Sequence, residues 1–399
     1  MIKAAVMGYG TIGSGVVEIL QKNSARVAKN AGAPIEVKYV LDLRDFPGDP
    51  VEKLLVRDYK IIAEDPEVKI VVETMGGVEP AFTFVKAMLE AGKNVCTSNK
   101  ALVADKGAEL IALAAEKNVN FLFEASVGGG IPIIRPLLTS ITGDEIDEIS
   151  GIINGTTNYM LTKMTREGLD FDSVLKEAQA LGYAEKDPTA DIEGHDVCRK
   201  IAILTSIVLG QQVNYTDIHT EGITGITPVD IRYADAMDCV IKLIAKSVRT
   251  ESGYVAIVSP QLIAREHPLY QVNGVFNAIF VKGNMLGDSM FYGSGAGKLP
   301  TASAVVGDII DMARHLNEHM RLDWEPESYK LVDYLDNVVS FFVRTQKSQD
   351  EIKAVFGDVE FVEVSGIEGE CGFRTAPMTE REFAEKAEKL GIISRIRFN

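Results

Sequence analysis

The amino-terminal part of the chain alternates short apolar runs with amphipathic stretches, and this alternation is the strongest constraint on its fold. The first apolar run, Ile2–Met7, leads directly into a glycine-rich turn, and then into a segment where Val16, Ile19 and Leu20 have helical spacing. Further strands are predicted over 35–41, 70–73, 94–97 and 120–123, with helices such as 81–91 and 106–117 between them. Strands that alternate with helices predict an α/β fold with a doubly wound parallel sheet.

The turn after the first strand has the glycine spacing of a dinucleotide-binding motif. In such a motif the first glycine permits the tight turn, the second lets the backbone approach a pyrophosphate, and the third allows close packing of helix on strand. The helix N-terminus then faces the phosphates. We therefore expect a Rossmann-like domain, and a purely structural glycine-rich turn is the alternative. The expected cofactor-binding residues of the turn are Gly8, Gly10, Thr11, Ile12 and Gly13.

Polar residues follow several of the predicted parallel strands. Ligands of such sheets bind outside the carboxyl ends of the strands, where Thr74, Ser98 and Lys100 fall. A solvated surface charge is the alternative for Lys100. Near the end of the second strand, Asp42 suits the free ribose 2′-hydroxyl of NAD, whereas Arg44 suits the 2′-phosphate of NADP.

Three carboxylates and a lysine surround one predicted helix start in the segment AQALGYAEKDPTADIEGHDVCRK. They are Glu185, Asp191, Asp196 and Lys200. A glycine and an Asp-Pro pair make the first part of the segment a loop, and the residues after it have helical periodicity. Asp196 and Lys200 then stand one helical turn apart. They form either a surface ion pair or a lysine placed to act as an acid or base.

The composition restricts the classes of partner. Lys and Arg number 41 against 57 Asp and Glu, which gives a formal net charge of −16 and argues against a nucleic-acid or anionic-membrane surface. The first residues lack signal-peptide features, and no segment approaches about 18 uninterrupted apolar residues. Four scattered cysteines predict neither a disulfide framework nor a thiolate zinc site. We expect a cytoplasmic protein with a small-molecule substrate.

The residue order from Ala178 to Lys200 closely resembles the signature of homoserine dehydrogenase. The glycine-rich turn, TSNK, EASVGGGIP, NGTTN and GSGAG follow in the family's order, so the resemblance spans roughly residues 1–320. It implies NAD(P)-dependent interconversion of L-homoserine and L-aspartate 4-semialdehyde, on the route to threonine, methionine and isoleucine. It also implies a homodimer or a higher homo-oligomer.

The resemblance assigns roles to the charged residues. Glu185 would hold the amino group of homoserine, and Asp191 would assist substrate binding. Asp196 would orient Lys200, whose ammonium exchanges a proton with the 4-oxygen of the substrate while hydride moves. Lys100 would be a further active-site group that also lies near the cofactor.

The resemblance further implies two bound groups. NADP is the expected cofactor, with NAD as the alternative, and Arg44 and Gly297 of GSGAG would contact it. In the EASVGGGIP segment the family can hold sodium or potassium, although this segment can also be a strand end with a glycine loop. The expected cation ligands are the carboxylate of Glu124 and the carbonyl groups of Val127, Gly129 and Ile131.

Three regions are predicted along the chain. Residues 1–132 would form the nucleotide-binding Rossmann domain, and residues 133–299 would form an α+β domain. The family resemblance implies that a helix at about 300–320 completes the first domain and that the second domain serves substrate binding and dimerisation. Residues 335–399 have a βαββαβ pattern that resembles the ferredoxin-like ACT domains, but their first turn, TQKSQDE, lacks the Asp-x-Pro-Gly segment that usually shapes an effector pocket.

Two other functions are compatible with parts of the same pattern. A dinucleotide-binding sensor without catalysis would not need both Asp196 and Lys200. A phosphorylating semialdehyde dehydrogenase needs a cysteine nucleophile near a histidine base, and none of the four cysteines lies in such a motif. The sequence therefore favours an enzyme that transfers hydride between an alcohol and a nicotinamide cofactor.

Overall fold

The computed structural model describes all 399 residues, which form two compact units. The first unit consists of Met1–Asp144, Ala202–Tyr215 and Gly293–Tyr329. The second consists of Glu145–Ile201, Thr216–Tyr292 and Lys330–Asn399. No helix combines the length and the apolar character needed to cross a membrane.

Strands and helices alternate along most of the chain. Residues 1–144 contain β1 (Ile2–Met7), α1 (Thr11–Lys22), α2 (Ser24–Ala31), β2 (Ile35–Leu41), β3 (Leu55–Val56), α3 (Tyr59–Glu64), β4 (Val68–Glu73), α4 (Ala81–Glu90), β5 (Asn94–Thr97), α5 (Lys100–Glu116), β6 (Phe121–Leu122) and α6 (Ile134–Thr139). Residues 145–292 and the start of the next stretch contain β7 (Ile146–Ile152), α7 (Gly155–Glu167), α8 (Phe171–Ala180), α9 (Thr189–Ile192), α10 (His195–Leu209), β8 (Gln211–Gln212), β9 (His219–Thr220), α11 (Pro228–Ala236), β10 (Cys239–Thr250), β11 (Gly253–Ala264), β12 (Phe276–Gly283) and β13 (Gly287–Ser294). The remaining elements are α12 (Lys298–Arg314), β14 (Glu325–Ser328), β15 (Val338–Val339), β16 (Phe341–Thr345), α13 (Gln349–Phe356), β17 (Val359–Val362), β18 (Cys371–Thr375), β19 (Met378–Thr379), α14 (Glu380–Leu390) and β20 (Ser394–Phe398).

The first unit is built on a six-stranded sheet in the order β3-β2-β1-β4-β5-β6. All five neighbouring pairs are parallel. The central strands are buried along nearly their whole length, as expected for a parallel sheet covered by helices on both faces. This order and this pairing confirm the predicted doubly wound parallel sheet of the Rossmann type.

A helix from late in the chain completes the first unit. α12 lies against α1, and Ala302, Val305 and Ile309 share one apolar core with Val16 and Val17. Lys298 at the start of α12 also forms an ion pair with Glu18 on α1, at 2.8 Å. The helix covers one face of the sheet next to the glycine-rich turn.

The second unit contains a mixed sheet in the order β13-β12-β7-β10-β11-β20-β16-β18-β17, with β9 beside β11. Its longest pair, β10 and β11, is an antiparallel hairpin with twelve residues in each strand. The helix α7 begins shortly after β7 ends, and the region between β7 and β8 also contains α10; polar residues described below lie at the starts of these two helices.

The C-terminal segment, Lys330–Asn399, continues this sheet. Its strands follow the chain order strand, helix, strand, strand, helix, strand and lie side by side as β20-β16-β18-β17. Phe341, Phe356, Phe373 and Phe383 fill the core between these strands and the helices α13 and α14. The sequence suggests a separate domain for residues 335–399, but β20 pairs in parallel with β11 through Gln261 and Leu262. The segment therefore shares one sheet with the rest of the second unit.

Candidate active site

The glycine-rich turn has the geometry that close approach to a phosphate requires. β1 ends at Met7, and α1 begins at Thr11 with Gly10 as its N-cap residue. A Cβ atom added at Gly13 would lie only 1.9 Å from the carbonyl oxygen of Gly8, so no side chain fits there. The first N–H groups of α1 have no partner within the helix, so they can bind a ligand at this edge of the sheet.

The neighbouring strand ends hold this turn in place. Thr74, after β4, donates a hydrogen bond from Oγ1 to the carbonyl of Gly8 at 2.8 Å. The buried carboxylate of Glu73 accepts bonds from the backbone N–H groups of the two residues after Thr74 and from Thr97 Oγ1 at 2.5 Å. Burial raises the pKa of Glu73, and these hydrogen bonds oppose the rise only in part. Glu73 therefore fixes the loop at the carboxyl end of the sheet.

Ser98 and Lys100 lie at the same edge, directly after β5. Ser98 is half-buried, and its backbone N–H bonds to the carbonyl of Glu73 at 3.3 Å. Lys100 is half-buried at the first position of α5, which the side chain of Asn99 caps by accepting a hydrogen bond from Leu102 N–H at 3.2 Å. The structure thus brings Thr74, Ser98 and Lys100 to the edge that the sequence predicts for them.

Asp42 and Arg44 form a pair at the end of β2. Arg44 donates from Nε and Nη2 to the two oxygens of Asp42, at 3.0 and 2.8 Å, and Asp42 also accepts from Tyr9 N–H at 2.8 Å. The hydrogen bond from Arg44 holds the pKa of Asp42 well below its usual range. The Arg44 side chain is exposed, and its Nη2 lies 4.0 Å from the place where a Cβ at Gly10 would be. The positively charged guanidinium group of Arg44 therefore lies beside the glycine-rich turn.

In the second unit, three of the predicted charged residues lie around one asparagine. Asn154, the N-cap residue of α7, donates from Nδ2 to Asp191 at 2.7 Å and to Asp196 at 3.0 Å. Lys200 Nζ donates to Asp196 at 2.7 Å and to the backbone carbonyl of Ile153 at 2.8 Å. Asp196 and Lys200 are buried, at 4% and 9% exposure, so theirs is not the surface ion pair that the i,i+4 spacing alone would allow.

The structure does not place the predicted substrate residue Glu185 or the predicted cofactor residue Gly297 in this cluster. Glu185 is exposed on the loop after α8, where its backbone carbonyl accepts a hydrogen bond from Gln179 Nε2 at 3.1 Å. Gly297 belongs to the first unit, where it precedes α12 with a φ of +118°.

The predicted cation segment also lies in the first unit, and its glutamate is strongly hydrogen-bonded. Glu124 accepts the backbone N–H groups of Ile133, Ile134 and Arg135 at 2.7 to 2.9 Å, and so caps the start of α6. The side chain is buried, and burial raises its pKa. The backbone carbonyl groups of Val127, Gly129 and Ile131 accept no hydrogen bond.

Two residues that sequence reasoning missed are Asn154 and Glu73. Asn154 lies in the NGTTN segment, and an asparagine directly before a helical stretch is a typical N-cap, which accounts for its bond to Thr157 N–H at 2.9 Å. Nothing local indicates that the same side chain would reach Asp191 and Asp196. Glu73 has an apolar run before it and the segment TMGG after it. A carboxylate at the end of a buried strand is a recognisable signal for a site.

Comparisons with known proteins agree on one family. The family model for "Homoserine dehydrogenase, NAD binding domain" matches residues 8–124, and that for "Homoserine dehydrogenase" matches residues 132–310. The homoserine dehydrogenase of Synechocystis sp. is 47% identical over 319 residues, which cover 78% of this chain and 73% of the relative.

Solved structures give the same result. A homoserine dehydrogenase from Thiobacillus denitrificans has a TM-score of 0.92 and 34% identity, covering 100% of this chain and 98% of its own. A hyperthermophilic archaeal homoserine dehydrogenase mutant, solved with NADPH, has a TM-score of 0.67 and 30% identity over 78% of this chain and 97% of its own. The chain therefore belongs to the homoserine dehydrogenase family of NAD(P)-dependent oxidoreductases.

Proposed function

We propose that the protein interconverts L-homoserine and L-aspartate 4-semialdehyde and that Lys200 transfers the proton. The observation that carries this assignment is the buried hydrogen bonding of Lys200, which uses Asp196 and the carbonyl of Ile153 as acceptors. An ammonium group has three donors, so these two bonds fix its direction and leave one donor for the 4-oxygen of the substrate. In the oxidation direction the neutral amine accepts the hydroxyl proton.

The carboxylates around Lys200 suit the amino end of the substrate. Asp191 is held by Asn154 and half-buried, whereas Glu185 is exposed on the loop after α8. We assign Glu185 to the ammonium of homoserine and Asp191 to substrate binding. Lys100 supplies the positive charge that the substrate carboxylate requires. The residues that we assign to catalysis are Lys200, Asp196 and Lys100.

NADP is the cofactor that we assign, and NAD is the alternative. The nicotinamide ring supplies and accepts hydride when the cofactor is bound. Gly8, Gly10 and Gly13, with Thr11 and Ile12, would hold the pyrophosphate. Thr74, Ser98, Lys100 and Gly297 would lie along the cofactor, and Arg44 would bind the 2′-phosphate. The archaeal relative solved with NADPH and the exposed guanidinium beside Gly10 support this choice.

The loop after β6 fits a monovalent cation. The three carbonyl groups of Val127, Gly129 and Ile131 accept no other hydrogen bond, and oxygen is the ligand that hard cations prefer. The Glu124 carboxylate has about four lone-pair positions, of which three are used by backbone N–H groups, so one remains for sodium or potassium. The role of such a cation would be structural.

Further assignments concern the whole protein. The βαββαβ order and the strand order of the C-terminal segment support an ACT-like module over residues 335–399. We assign residues 1–132, with the helix near 300–320, to cofactor binding, and residues 133–299 to substrate binding and dimerisation. A homo-oligomer, a cytoplasmic location and a place in threonine, methionine and isoleucine synthesis stay predictions from the family resemblance and the sequence.

The decisive test is the variant Lys200→Ala. We expect turnover to fall by about 10²- to 10⁴-fold, the usual contribution of a positioned acid or base, with little change in the dissociation constant of NADPH. The control is Lys163→Ala on α7, because Lys163 also forms an ion pair four residues along a helix, with Glu167 at 2.7 Å, and is assigned no role. Near wild-type turnover in Lys200→Ala would refute the assignment of Lys200. Absence of homoserine oxidation in the wild type with either cofactor would favour the non-catalytic sensor.

A further inference from the structure

One carboxylate of the second unit is held by two arginines of the C-terminal segment. Glu221 accepts two hydrogen bonds from Arg395, at 3.0 and 2.8 Å, and two from Arg397, at 2.9 and 2.7 Å. His219 Nε2 lies 2.7 Å from the same carboxylate. Arg397 is almost fully buried and also binds Glu380 on α14. Glu221 is therefore the main polar attachment of β20 to the segment that follows β9.

This attachment is strong for a physical reason. Burial by itself would raise the pKa of Glu221, but the hydrogen bonds from His219, Arg397 and Arg395 outweigh it and hold the pKa far below its usual range. Paired bidentate bonds between guanidinium and carboxylate groups are among the strongest polar contacts and also restrict geometry. The two guanidinium groups therefore balance the charge of Glu221 and also fix the position of its carboxylate.

The backbone around Glu221 contacts the substrate-binding helices. Glu221 N–H bonds to the carbonyl of Val258 on β11, and Ile223 N–H bonds to the carbonyl of Ile192, the last residue of α9, both at 2.8 Å. At Gly222 a Cβ atom would lie 2.2 Å from the carbonyl oxygen of Ile192. The two backbone segments are therefore in contact, and no side chain fits between them. The segment 219–223 therefore packs directly on the turn between α9 and α10.

That turn sets the positions of two proposed site residues. Asp191 lies in α9, and Asp196 lies in the first turn of α10. The turn between them is short, so a shift of the turn moves both carboxylates relative to Asn154 and Lys200. Small displacements of this kind are costly, since a misplacement of about 1 Å can reduce a rate by about 10²-fold.

We propose that Glu221 is a positioning residue, through which the C-terminal segment holds the turn between α9 and α10 and thereby sets the affinity for the amino-acid substrate. This inference rests on the proposed roles of Asp191, Asp196 and Lys200. It gives the C-terminal segment a function in substrate binding that requires no effector ligand. Glu221 itself acts through the turn and is assigned no contact with the substrate.

The test is Glu221→Gln in the full-length protein, which keeps the shape of the side chain and removes its charge. We expect the KM for homoserine to rise by about 5- to 150-fold, the usual range for coupling between sites. The dissociation constant of NADPH should not change, because the residues assigned to it lie in the other unit. kcat should fall as well, because the same turn carries Asp196, the hydrogen-bond partner of Lys200.

Glu380→Gln is the matched control. Glu380 binds the same arginine, at 2.5 and 2.9 Å, but it lies on α14 within the C-terminal segment and bonds to nothing near α9. Both variants should lower the melting temperature, whereas only Glu221→Gln should raise KM. An equal rise in KM for both variants, or a lower melting temperature with unchanged KM in Glu221→Gln, would show that the attachment serves stability alone.

A second measurement separates this inference from the proposed function. Hydrogen exchange of the backbone amides in residues 189–196 should be faster in Glu221→Gln than in the wild type and unchanged in Glu380→Gln, whatever substrate the enzyme uses. Faster exchange without homoserine turnover in the wild type would refute the proposed function and keep the positioning role. Unchanged exchange would refute the positioning role. If Glu221→Gln does not fold, Arg395→Met removes one of the two guanidinium partners and should give a smaller effect in the same direction.

Discussion

At the scale of single residues, the NGTTN helix supplies two buried amide side chains with different tasks. Asn154 aligns Asp191 and Asp196, and one turn later Asn158 accepts a hydrogen bond from Lys242 at 3.0 Å. Lys242 also donates to the carbonyl of Val272 at 2.7 Å, and it has no carboxylate partner. Burial lowers the pKa of Lys242 to about 7. The helix α7 thus contacts the Asp196–Lys200 pair through Asn154 and, one turn later, the buried Lys242 of β10 through Asn158.

Lys242 should make the stability of the protein depend on pH. Because its pKa is about 7 when folded and ordinarily 10.5, the unfolded chain binds more protons between these values, and stability rises with pH there. The expected contribution is up to about 1.4 kcal/mol for each pH unit. Lys242→Met should lose this contribution, which urea unfolding of both proteins from about pH 6 to about pH 10 would measure. Parallel pH profiles would mean that Lys242 keeps its ordinary pKa.

Arg44 should decide between the two cofactors. Loss of a charge-assisted hydrogen bond to the 2′-phosphate costs about 1.5 to 3 kcal/mol, so Arg44→Ala should reduce kcat/KM with NADP by roughly 10- to 150-fold. NAD has no phosphate at this position and should be nearly unaffected. Arg26→Ala, an exposed change on α2, is the control. An equal loss with both cofactors would argue that Arg44 stabilises Asp42 and the turn instead.

At the scale of elements, the first unit depends on the contact between α1 and α12. These helices approach closely at Gly15, where a Cβ atom would lie 2.9 Å from both the Cβ of Ala302 and the carbonyl of Lys298. The contact places the start of α12 beside the glycine-rich turn, although about 280 residues separate Glu18 from its ion-pair partner Lys298. Helix packing therefore connects the two ends of the predicted cofactor site.

Gly15→Ala should destabilise the protein by about 1 to 3 kcal/mol, because the added methyl group overpacks a rigid contact. Gly107→Ala on α5 is the matched control, since its Cβ would meet Val103 and Trp324 at ordinary distances of 3.5 and 3.6 Å. In that helix alanine should stabilise by up to about 1 kcal/mol. Thermal unfolding of both variants measures the contrast. A stable Gly15→Ala variant would show that α12 can shift away from α1.

At the scale of the whole molecule, the C-terminal segment is both a βαββαβ unit and the continuation of the sheet of the second unit. β20 pairs with β11, and Glu221 binds Arg395 and Arg397. Removal of the segment would expose the edge of β11 and leave Glu221 without its arginine partners. The segment therefore contributes to the stability of the unit that carries Lys200.

Regulation by threonine should be weak or absent. The turn after β16 lacks the Asp-x-Pro-Gly segment, so titration of threonine against the full-length enzyme should change the rate little. A chain that ends at about Leu335 should keep the proton-transfer chemistry and NADPH binding, with a lower melting temperature and a higher KM for homoserine. Strong threonine inhibition that disappears on truncation would reveal an effector pocket in the C-terminal segment.

The amino-acid sequence is enough to predict most helices and strands and the short-range groups of site residues. The glycine spacing predicts the turn between β1 and α1, and the helical period places Asp196 and Lys200 one turn apart. The pattern of the C-terminal segment predicts its six main elements in order. These features depend on neighbours within a few residues, which a single sequence records directly.

The partners that lie far apart in the sequence depend on how the whole chain packs. Asn154 reaches Asp191 across 37 residues, and Glu221 reaches Arg397 across 176. β20 joins β11 through backbone hydrogen bonds, which do not depend on which side chains the strands carry. A sequence pattern can show that a strand or a buried polar group needs a hydrogen-bond partner, but it does not identify that partner. The packing of the whole chain determines which partner it finds.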